Sequence, residues 1–311
     1  MPFNLFSQCK RYKIPLWQCP QFLFMIMGLF IIVASLVFYF IGERQISDPR
    51  IVALIVVLVA MVLLIIAFII THSFEVLAEA NRMKTEFVNI VSHQLRTPLT
   101  NLRWGTQFLL SKDFQNSDQK LKADYFDIIK ENSNRMEVLI DDLLTIMRLQ
   151  EGKMDTKKSF FELKTLIEEV LEEYKSFLKA NNLKVELMAE GELPYVYASK
   201  TLLKIVLQNL IGNAINYNRP GEKIEISLEK NKSRVIFSIK DKGIGIPKKD
   251  QRYIFEKFFR AENAIREEVN GTGLGLYIVK LILDSMDGKI WFNSKQGKGS
   301  VFNFSLPIKN N

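Results

Sequence analysis

Residues 92–99, Ser-His-Gln-Leu-Arg-Thr-Pro-Leu, lie within a long stretch of helical sequence, and they decide how the rest of the chain is interpreted. Around them, apolar residues recur every three, four or seven positions, which predicts one packed face of a helix. That face carries Val88, Val91, Leu95, Leu99, Leu102 and Leu109. Because each residue turns a helix by about 100°, His93 lies about 200° from both Val91 and Leu95. We therefore predict that its imidazole is exposed.

A second amphipathic helix is predicted over residues 121–149. Its apolar face carries Ile129, Asn132, Met136, Leu139, Leu143 and Met147. The polar segment 112–119 joins the two helices into a hairpin. Such a hairpin can bury its apolar faces fully by pairing with a second copy, so we expect a homodimer with a four-helix bundle.

Two apolar runs precede the hairpin. The chain of 311 residues is 48% apolar, which is high for a soluble protein. Residues 22–41 and 51–70 carry no charged side chain, and about 20 apolar residues are enough for a helix to span a bilayer. We predict two transmembrane helices.

The distribution of basic residues predicts the orientation of these spans. The tail, residues 1–21, contains Lys10, Arg11 and Lys13 and no acidic residue, whereas the charges in the link, residues 42–50, cancel. The positive-inside rule therefore predicts a membrane-bound protein with both chain ends in the cytoplasm. The outer link is too short for a ligand-binding domain, so we expect the signal to come from the membrane lipid or a membrane partner.

The net charge of +8 does not indicate a nucleic-acid partner. Lysine and arginine total 42 and are scattered among 34 acidic residues, and the sequence has no nucleic-acid-binding motif.

The sequence after the hairpin predicts a second type of domain. We assign residues 71–152 to a signal helix and hairpin, and residues 153–311 to an α/β domain. Helices are predicted at 163–179, 200–217 and 274–286, and strands at 184–188, 223–230, 234–240, 289–294 and 300–306. The expected fold is a helix layer over a mixed sheet, an α/β sandwich.

Three polar or glycine-rich blocks in this domain predict a nucleotide pocket. Asn209 and Asn213 share one face of an otherwise apolar helix, where unpartnered carboxamides would be costly. Asp241 can accept a hydrogen bond from an adenine amino group, and the following glycines, Gly243 and Gly245, let backbone approach the ring. The third block precedes a helix whose free N–H groups can face phosphates. It consists of Gly271, Thr272, Gly273, Leu274 and Gly275.

The order and residues of these blocks resemble the membrane-bound sensor histidine kinases of two-component systems, over residues 82–308. The family usually has Ser-His-Glu-Leu-Arg-Thr-Pro-Leu where this chain has residues 92–99, a match at seven of eight positions. The resemblance implies that His93 is phosphorylated and that Thr97 orients water when a phosphorylated partner is dephosphorylated. It also implies an ATPase domain of the gyrase, Hsp90 and histidine-kinase group at residues 160–308.

The same resemblance implies individual roles in the pocket. Asn209 and Asn213 would line the Mg²⁺–phosphate region, with Asn213 as a ligand of Mg²⁺, and Tyr217 follows them. Arg260 would belong to a lid over ATP. The chain departs from the family at Gln94, where Glu is usual as a base or orienting residue, and at Asn216, where Lys is often found.

The resemblance implies a kinase that autophosphorylates His93 from MgATP. The phosphoryl group would pass to an aspartate of a response regulator, and the regulator would also be dephosphorylated. Gln94 and Asn216 leave a second interpretation open, a scaffold or phosphatase-biased regulator with weakened kinase chemistry. An ATP-driven clamp of the same fold group is disfavoured by the His93 segment and the two spans.

Overall fold

The computed structural model describes residues 20–46, 48–111, 114, 118–154, 157–189, 195–231, 233–267 and 271–308. The chain forms two compact units, residues 1–94 and residues 95–311. Residues 1–19 of the basic tail, which is predicted to be cytoplasmic, lie outside the described residues. Most of the hairpin link predicted at 112–119 also lies outside them.

The two apolar runs form helices α1 (Pro20–Gln45) and α2 (Pro49–Leu109). By length and composition, each contains a segment apolar enough to cross a membrane. Both helices extend beyond the apolar runs, so the link is shorter than the predicted 42–50. Asp48 ends the link because its carboxylate accepts a hydrogen bond from the Arg50 backbone N–H at 2.9 Å. Pro49 follows as the first helical residue, where its missing N–H costs nothing.

The helical hairpin is confirmed within the second unit. Helix α3 (Gln119–Gln150) begins after Asp118, whose side chain accepts a hydrogen bond from the Leu121 N–H at 2.7 Å. Helix α3 packs closely on α2, because a Cβ at Gly105 would lie 2.8 Å from the Ile129 side chain.

The predicted apolar faces of the hairpin are buried only in part. Leu139 is 4% exposed, whereas Leu99 is 57% exposed and Met147 is 50% exposed. A second copy that covers these exposed side chains stays a prediction.

Five helices follow within the described residues of the α/β domain. They are α4 (Leu163–Glu173), α5 (Lys175–Ala180), α6 (Lys200–Asn216), α7 (Glu262–Arg266) and α8 (Gly275–Ser285). The single helix predicted at 163–179 is wrong, because the chain turns at Tyr174, whose hydroxyl donates to the Gln208 carbonyl at 3.2 Å. Ser199 caps the start of α6, since its hydroxyl accepts from the Leu202 N–H at 3.3 Å.

The predicted strands form one mixed sheet. They are β2 (Lys184–Ala189), β4 (Lys223–Asn231), β5 (Arg234–Lys240), β6 (Lys289–Lys295) and β7 (Gly299–Pro307), and their order across the sheet is β2-β4-β5-β7-β6. β2 runs parallel to β4, and the other neighbours are antiparallel. Two further strands, β1 (Ser159–Phe161) and β3 (Val196–Ala198), pair separately and were not predicted.

The core of the domain lies between the sheet and the layer formed by α4, α6 and α8. The alternating residues of β4 and β5 face this core, with Phe237 stacked on Phe304 at 4.7 Å between ring centroids. Leu139 and Ile146 of α3 belong to the same buried cluster. The second hairpin helix is therefore packed against the α/β domain, and this places it beside the predicted nucleotide pocket.

Candidate nucleotide-binding site

A cavity of about 580 Å³ lies among α6, α8, the loop after β5 and α3. Ten of the twelve residues predicted to bind ATP line it. They are Asn209, Asn213, Tyr217, Asp241, Gly245, Arg260, Gly271, Thr272, Gly273 and Gly275. The other two contribute indirectly, since Leu274 is fully buried in the core and Gly243 belongs to the turn after Asp241.

Asp241 is the buried acidic group of the cavity, with 7% of its surface exposed. Its Oδ1 atom accepts backbone hydrogen bonds from Gly243 at 2.9 Å and from Ser300 at 3.1 Å. Burial raises the pKa of this carboxyl to about 6, against the lowering effect of the two backbone donors. Because both bonds go to Oδ1, Oδ2 can accept from a ligand that donates an N–H group, as the adenine amino group does.

The glycines after Asp241 are required by the packing of the protein itself. A Cβ at Gly243 would overlap the Tyr217 carbonyl, and a Cβ at Gly245 would overlap the Lys295 carbonyl. Gly245 also has a φ of +62°, a backbone conformation that glycine adopts without strain. The sequence predicted that these glycines admit a nucleotide ring, whereas their closest neighbours are backbone atoms of this chain.

The carboxamide of Asn209 is fixed beside the N-terminus of α8. Its Nδ2 donates to the Ile205 carbonyl at 2.9 Å, and a Cβ at Gly275 would overlap its Oδ1. Asn213, one turn further along α6, also lines the cavity. Two carboxamides beside a glycine-rich helix start form a set that fits the phosphates of MgATP, because amide oxygens suit Mg²⁺ and free N–H groups suit phosphate.

Tyr217 and Arg260 both line the cavity, and the resemblance assigns Arg260 to the lid. Burial raises the pKa of the Tyr217 hydroxyl, while the charge of Arg260 acts in the opposite direction. Arg260 also donates to the Ala264 carbonyl at 3.4 Å. Residues 268–270 of the expected lid lie outside the described part of the chain.

The structure adds lining residues that sequence patterns did not indicate. Asn263 donates to the Gly245 carbonyl at 2.7 Å and so holds the glycine turn from α7. Arg135 and Asp142 line the cavity from α3. The Thr272 hydroxyl donates to the Asp142 carboxylate at 2.5 Å. Residues 142 and 272 are 130 positions apart, so no local pattern could have related them.

The three remaining candidates, His93, Gln94 and Thr97, lie on α2 and are not lining residues of the cavity. His93 and Thr97 are exposed, Gln94 is half-buried and Pro98 is buried. The predicted exposure of His93 is therefore confirmed. Among the described residues, no hydrogen bond or ion pair of the His93 ring is present.

Comparison with known protein families identifies both domains of the chain. Residues 83–152 match the His Kinase A phospho-acceptor domain, and residues 198–310 match the histidine kinase-, DNA gyrase B- and HSP90-like ATPases. The two matches together cover more than half of the chain, which thus joins a phospho-acceptor hairpin to an ATPase domain. The chain belongs to the sensor histidine kinases.

Individual relatives agree with this assignment. The chain is 30% identical over 228 residues to sensor histidine kinase WalK of Bacillus subtilis, across 73% of this chain and 37% of WalK. It is 33% identical over 238 residues to the adaptive-response sensory kinase SasA of Crocosphaera subtropica, across 75% of this chain and 62% of SasA. The chain thus spans less than two thirds of either relative.

Two solved structures share the fold. Histidine kinase AdeS of Acinetobacter baumannii superposes with a TM-score of 0.55 at 28% identity, across 70% of this chain and 98% of that chain. Histidine kinase ThkA, solved in complex with response regulator protein TrrA, gives a TM-score of 0.58 at 27% identity, across 74% of this chain and 64% of that chain.

Replacing Gly275 by alanine tests the phosphate end of the cavity. The new Cβ would overlap the Asn209 Oδ1, and overpacking of this kind costs about 1–3 kcal/mol. We expect the affinity for the imido analogue of ATP with Mg²⁺ to fall about tenfold or more, as measured by titration calorimetry. Gly271→Ala is the control, because its Cβ would lie 3.6 Å from the Tyr217 hydroxyl, an ordinary contact. Equal losses in the two variants would contradict this account.

The raised pKa of Asp241 predicts a pH-dependent affinity for adenine nucleotide. An ionised carboxylate is a stronger acceptor for an adenine N–H than a protonated one, so the affinity of the parent should fall as the pH falls through about 6. We expect Asp241→Asn to bind ADP about tenfold more weakly than the parent at pH 8, with the ratio approaching one at pH 5. Titration of the nucleotide's own phosphates affects both proteins and cancels in this ratio. A ratio that does not change with pH would show that Asp241 does not titrate in this range.

Proposed function

We propose that this protein is a membrane-bound kinase that transfers the γ-phosphoryl group of ATP to His93 and then to an aspartate of a response regulator. The observation that carries this proposal is an exposed imidazole on the phospho-acceptor hairpin of a chain that also holds a buried carboxylate in a nucleotide-sized cavity. Both features are of the kind that the reaction needs, a reachable nucleophile and a site selective for adenine.

The residues of the cavity divide the binding of MgATP among them. Asp241 accepts the adenine N–H, and the N-terminal turn of α8 presents backbone N–H groups to the phosphates. Asn209 and Asn213 supply carboxamide oxygens on the phosphate side, with Asn213 as the ligand of the metal. Mg²⁺, when bound there, neutralises phosphate charge, which is the principal electrostatic demand of phosphoryl transfer.

His93 is suited to act as the acceptor. A ring nitrogen of the neutral imidazole attacks the γ-phosphorus, the bond from that phosphorus to the β,γ-bridging oxygen breaks, and ADP leaves. The other ring nitrogen loses its proton as the phosphohistidine forms. Gln94 can accept a hydrogen bond from that nitrogen but cannot remove its proton, because a carboxamide is not a base at neutral pH. We therefore infer a slow autokinase.

The partner we propose is the receiver domain of a response regulator. The complex of the structurally similar ThkA with response regulator protein TrrA supports this assignment. The exposed Thr97 lies one helical turn beyond His93 and could orient water for dephosphorylation of the regulator. We also propose a homodimer, because a second copy would cover Leu99 and Met147 of the hairpin; sedimentation of the full chain in detergent would measure it.

Transfer of label from ATP to His93 tests the central proposal. The full chain in detergent micelles, incubated with γ-labelled ATP and Mg²⁺, should acquire a label that acid releases, since phosphohistidine is acid-labile. His93→Ala should acquire none. His72→Ala is the matched control, because His72 is the other of the two histidines of the chain and is also exposed on α2. Denaturing gel electrophoresis with acid and alkali washes measures the label.

The Gln94→Glu variant separates a slow kinase from an inactive one. A carboxylate that can act as a base should raise the initial labelling rate at least about tenfold, a modest part of what a positioned base contributes. Label that persists in His93→Ala would contradict the assigned acceptor. Binding of ATP without any label, in the parent and in Gln94→Glu, would instead favour the scaffold or the phosphatase-biased regulator.

We further propose that α1 and the first part of α2 span the membrane, with both chain ends in the cytoplasm. Thiol labelling tests this orientation, because the two cysteines of the chain, Cys9 and Cys19, both lie in the N-terminal tail. A membrane-impermeant maleimide should react with Asp48→Cys in intact cells. It should react with Cys9 and Cys19 of the parent only after the membrane has been permeabilised. Labelling of the parent in intact cells would reverse the topology.

The short link between the spans leaves little extracytoplasmic surface for a soluble ligand. We infer that the signal is a property of the bilayer or a membrane protein that contacts α1 and α2. A chain lacking residues 1–70 should keep its autokinase activity but lose regulation in cells. A truncated chain that still responds would place the sensor elsewhere.

A further inference from the structure

Helix α3 contributes a carboxylate to the wall of the nucleotide cavity. Asp142 lines the cavity and accepts a hydrogen bond from the Thr272 hydroxyl at 2.5 Å. The residues three before and four after it, Leu139 and Ile146, lie on the same face of the helix and are 4% and 1% exposed. Asp142 is thus held against the glycine-rich loop by apolar packing on both sides.

The Thr272 hydroxyl has a single hydrogen to donate. In this structure it donates to Asp142, and its oxygen accepts from the Leu274 N–H at 3.2 Å. A hydroxyl in this arrangement cannot donate to a phosphate oxygen as well. Thr272 lies in the loop before α8, where the free N–H groups and the hydroxyl are the donors available to a nucleotide's phosphates.

The charge of Asp142 also opposes an anionic ligand. Burial raises the pKa of its carboxyl, the hydrogen bond from Thr272 acts against that rise, and the neighbouring charge of Asp141 adds to it. A partly desolvated carboxylate is screened less from neighbouring charges than a solvated one. Polyphosphate that enters the loop beside Asp142 would meet a like charge and a hydrogen-bond donor that is already occupied.

We propose that Asp142 is a positioning residue that competes with nucleotide phosphate groups for the Thr272 hydroxyl, so that nucleotide binding and docking of α3 on the ATPase domain oppose each other. This inference rests on the nucleotide binding proposed above. The opposition is reciprocal, since a contact that lowers the affinity for nucleotide is weakened by nucleotide by the same factor. MgATP would thereby loosen the phospho-acceptor hairpin from the domain that phosphorylates it.

Nucleotide affinities of Asp142 variants test the proposal. In the full chain in detergent micelles, Asp142→Ala should bind the imido analogue of ATP with Mg²⁺ about tenfold more tightly than the parent, as expected when one charge-assisted hydrogen bond no longer competes. Asp142→Asn should show a smaller gain, because its amide oxygen still accepts from Thr272 but carries no charge. Competition titration with adenosine, which has no phosphate, should give the same affinity in parent and variants.

Asp141 provides the matched control. It is the adjacent acidic residue on α3 and is exposed, so Asp141→Asn removes one negative charge without touching the loop. Because the charge of Asp141 raises the pKa of Asp142, its removal favours the ionised form of Asp142, and the variant should not bind the analogue more tightly than the parent. An equal gain in Asp141→Asn would reduce the effect to net charge. A gain for adenosine as large as that for the imido analogue would mean that the cavity had simply opened. Either result overturns the proposal, as does an unchanged affinity in Asp142→Ala with an unaltered thermal unfolding curve.

Hydrogen exchange provides a readout of docking itself. In the parent, the imido analogue should increase amide exchange in residues 139–149, whereas in Asp142→Ala this exchange should be raised before nucleotide is added. Exchange in the parent that does not respond to saturating nucleotide would contradict the coupling. Failure of the proposed nucleotide binding and failure of the proposed role of Asp142 give different results. If neither parent nor variants bind the analogue, the proposed function fails; if all bind it equally, only the role of Asp142 fails.

Discussion

The packing of α6 on the sheet, with α4 and α8 beside it in the same layer, is the constraint on which the rest of the ATPase domain depends. Eight of its 17 residues are buried, including Leu203, Val206 and Ile211, which are fully excluded from solvent. This burial fixes the rotation of the helix, and that rotation aims Asn209 and Asn213 at the cavity. Because Asn209 also lies against Gly275, the same packing sets how closely α8 approaches. The position of both carboxamides in the candidate site is thus a consequence of core packing.

Much of the fold follows from residue patterns in the sequence. Apolar residues recur at every second position along β4 and β5, and this pattern predicted both strands. A period of two places the apolar side chains on one face of a strand, which can then pack against a core. The three-residue strands β1 and β3 are too short to show such a period. The break at Tyr174 could not be predicted, because its side chain is anchored by a carbonyl of another helix, at Gln208. The residues around Tyr174 have ordinary helical propensities, and a tertiary contact overrides those propensities.

The candidate site shows the same division between local and long-range information. Blocks of asparagine, aspartate and glycine indicated a nucleotide cavity because each is a compact chemical unit. The sequence could not show why glycine is needed at positions 243 and 245, since the atoms that exclude a Cβ there are backbone atoms of Tyr217 and Lys295. Asp142 was harder to predict, because the sequence of its helix shows only a charged residue next to the apolar face. Only the packing of that face turns it towards Thr272.

The position of β7 (Gly299–Pro307) in the sheet makes the candidate pocket depend on residues far apart in the sequence. This strand lies between β5 and β6 and supplies the Ser300 N–H to the Asp241 carboxylate. Removal of β7 would leave β6 without its neighbour and would take away one of the two backbone donors to that carboxylate. The phospho-acceptor hairpin lies entirely before β7 in the sequence, so a cut ahead of this strand would keep every residue of the hairpin while it opens one wall of the cavity.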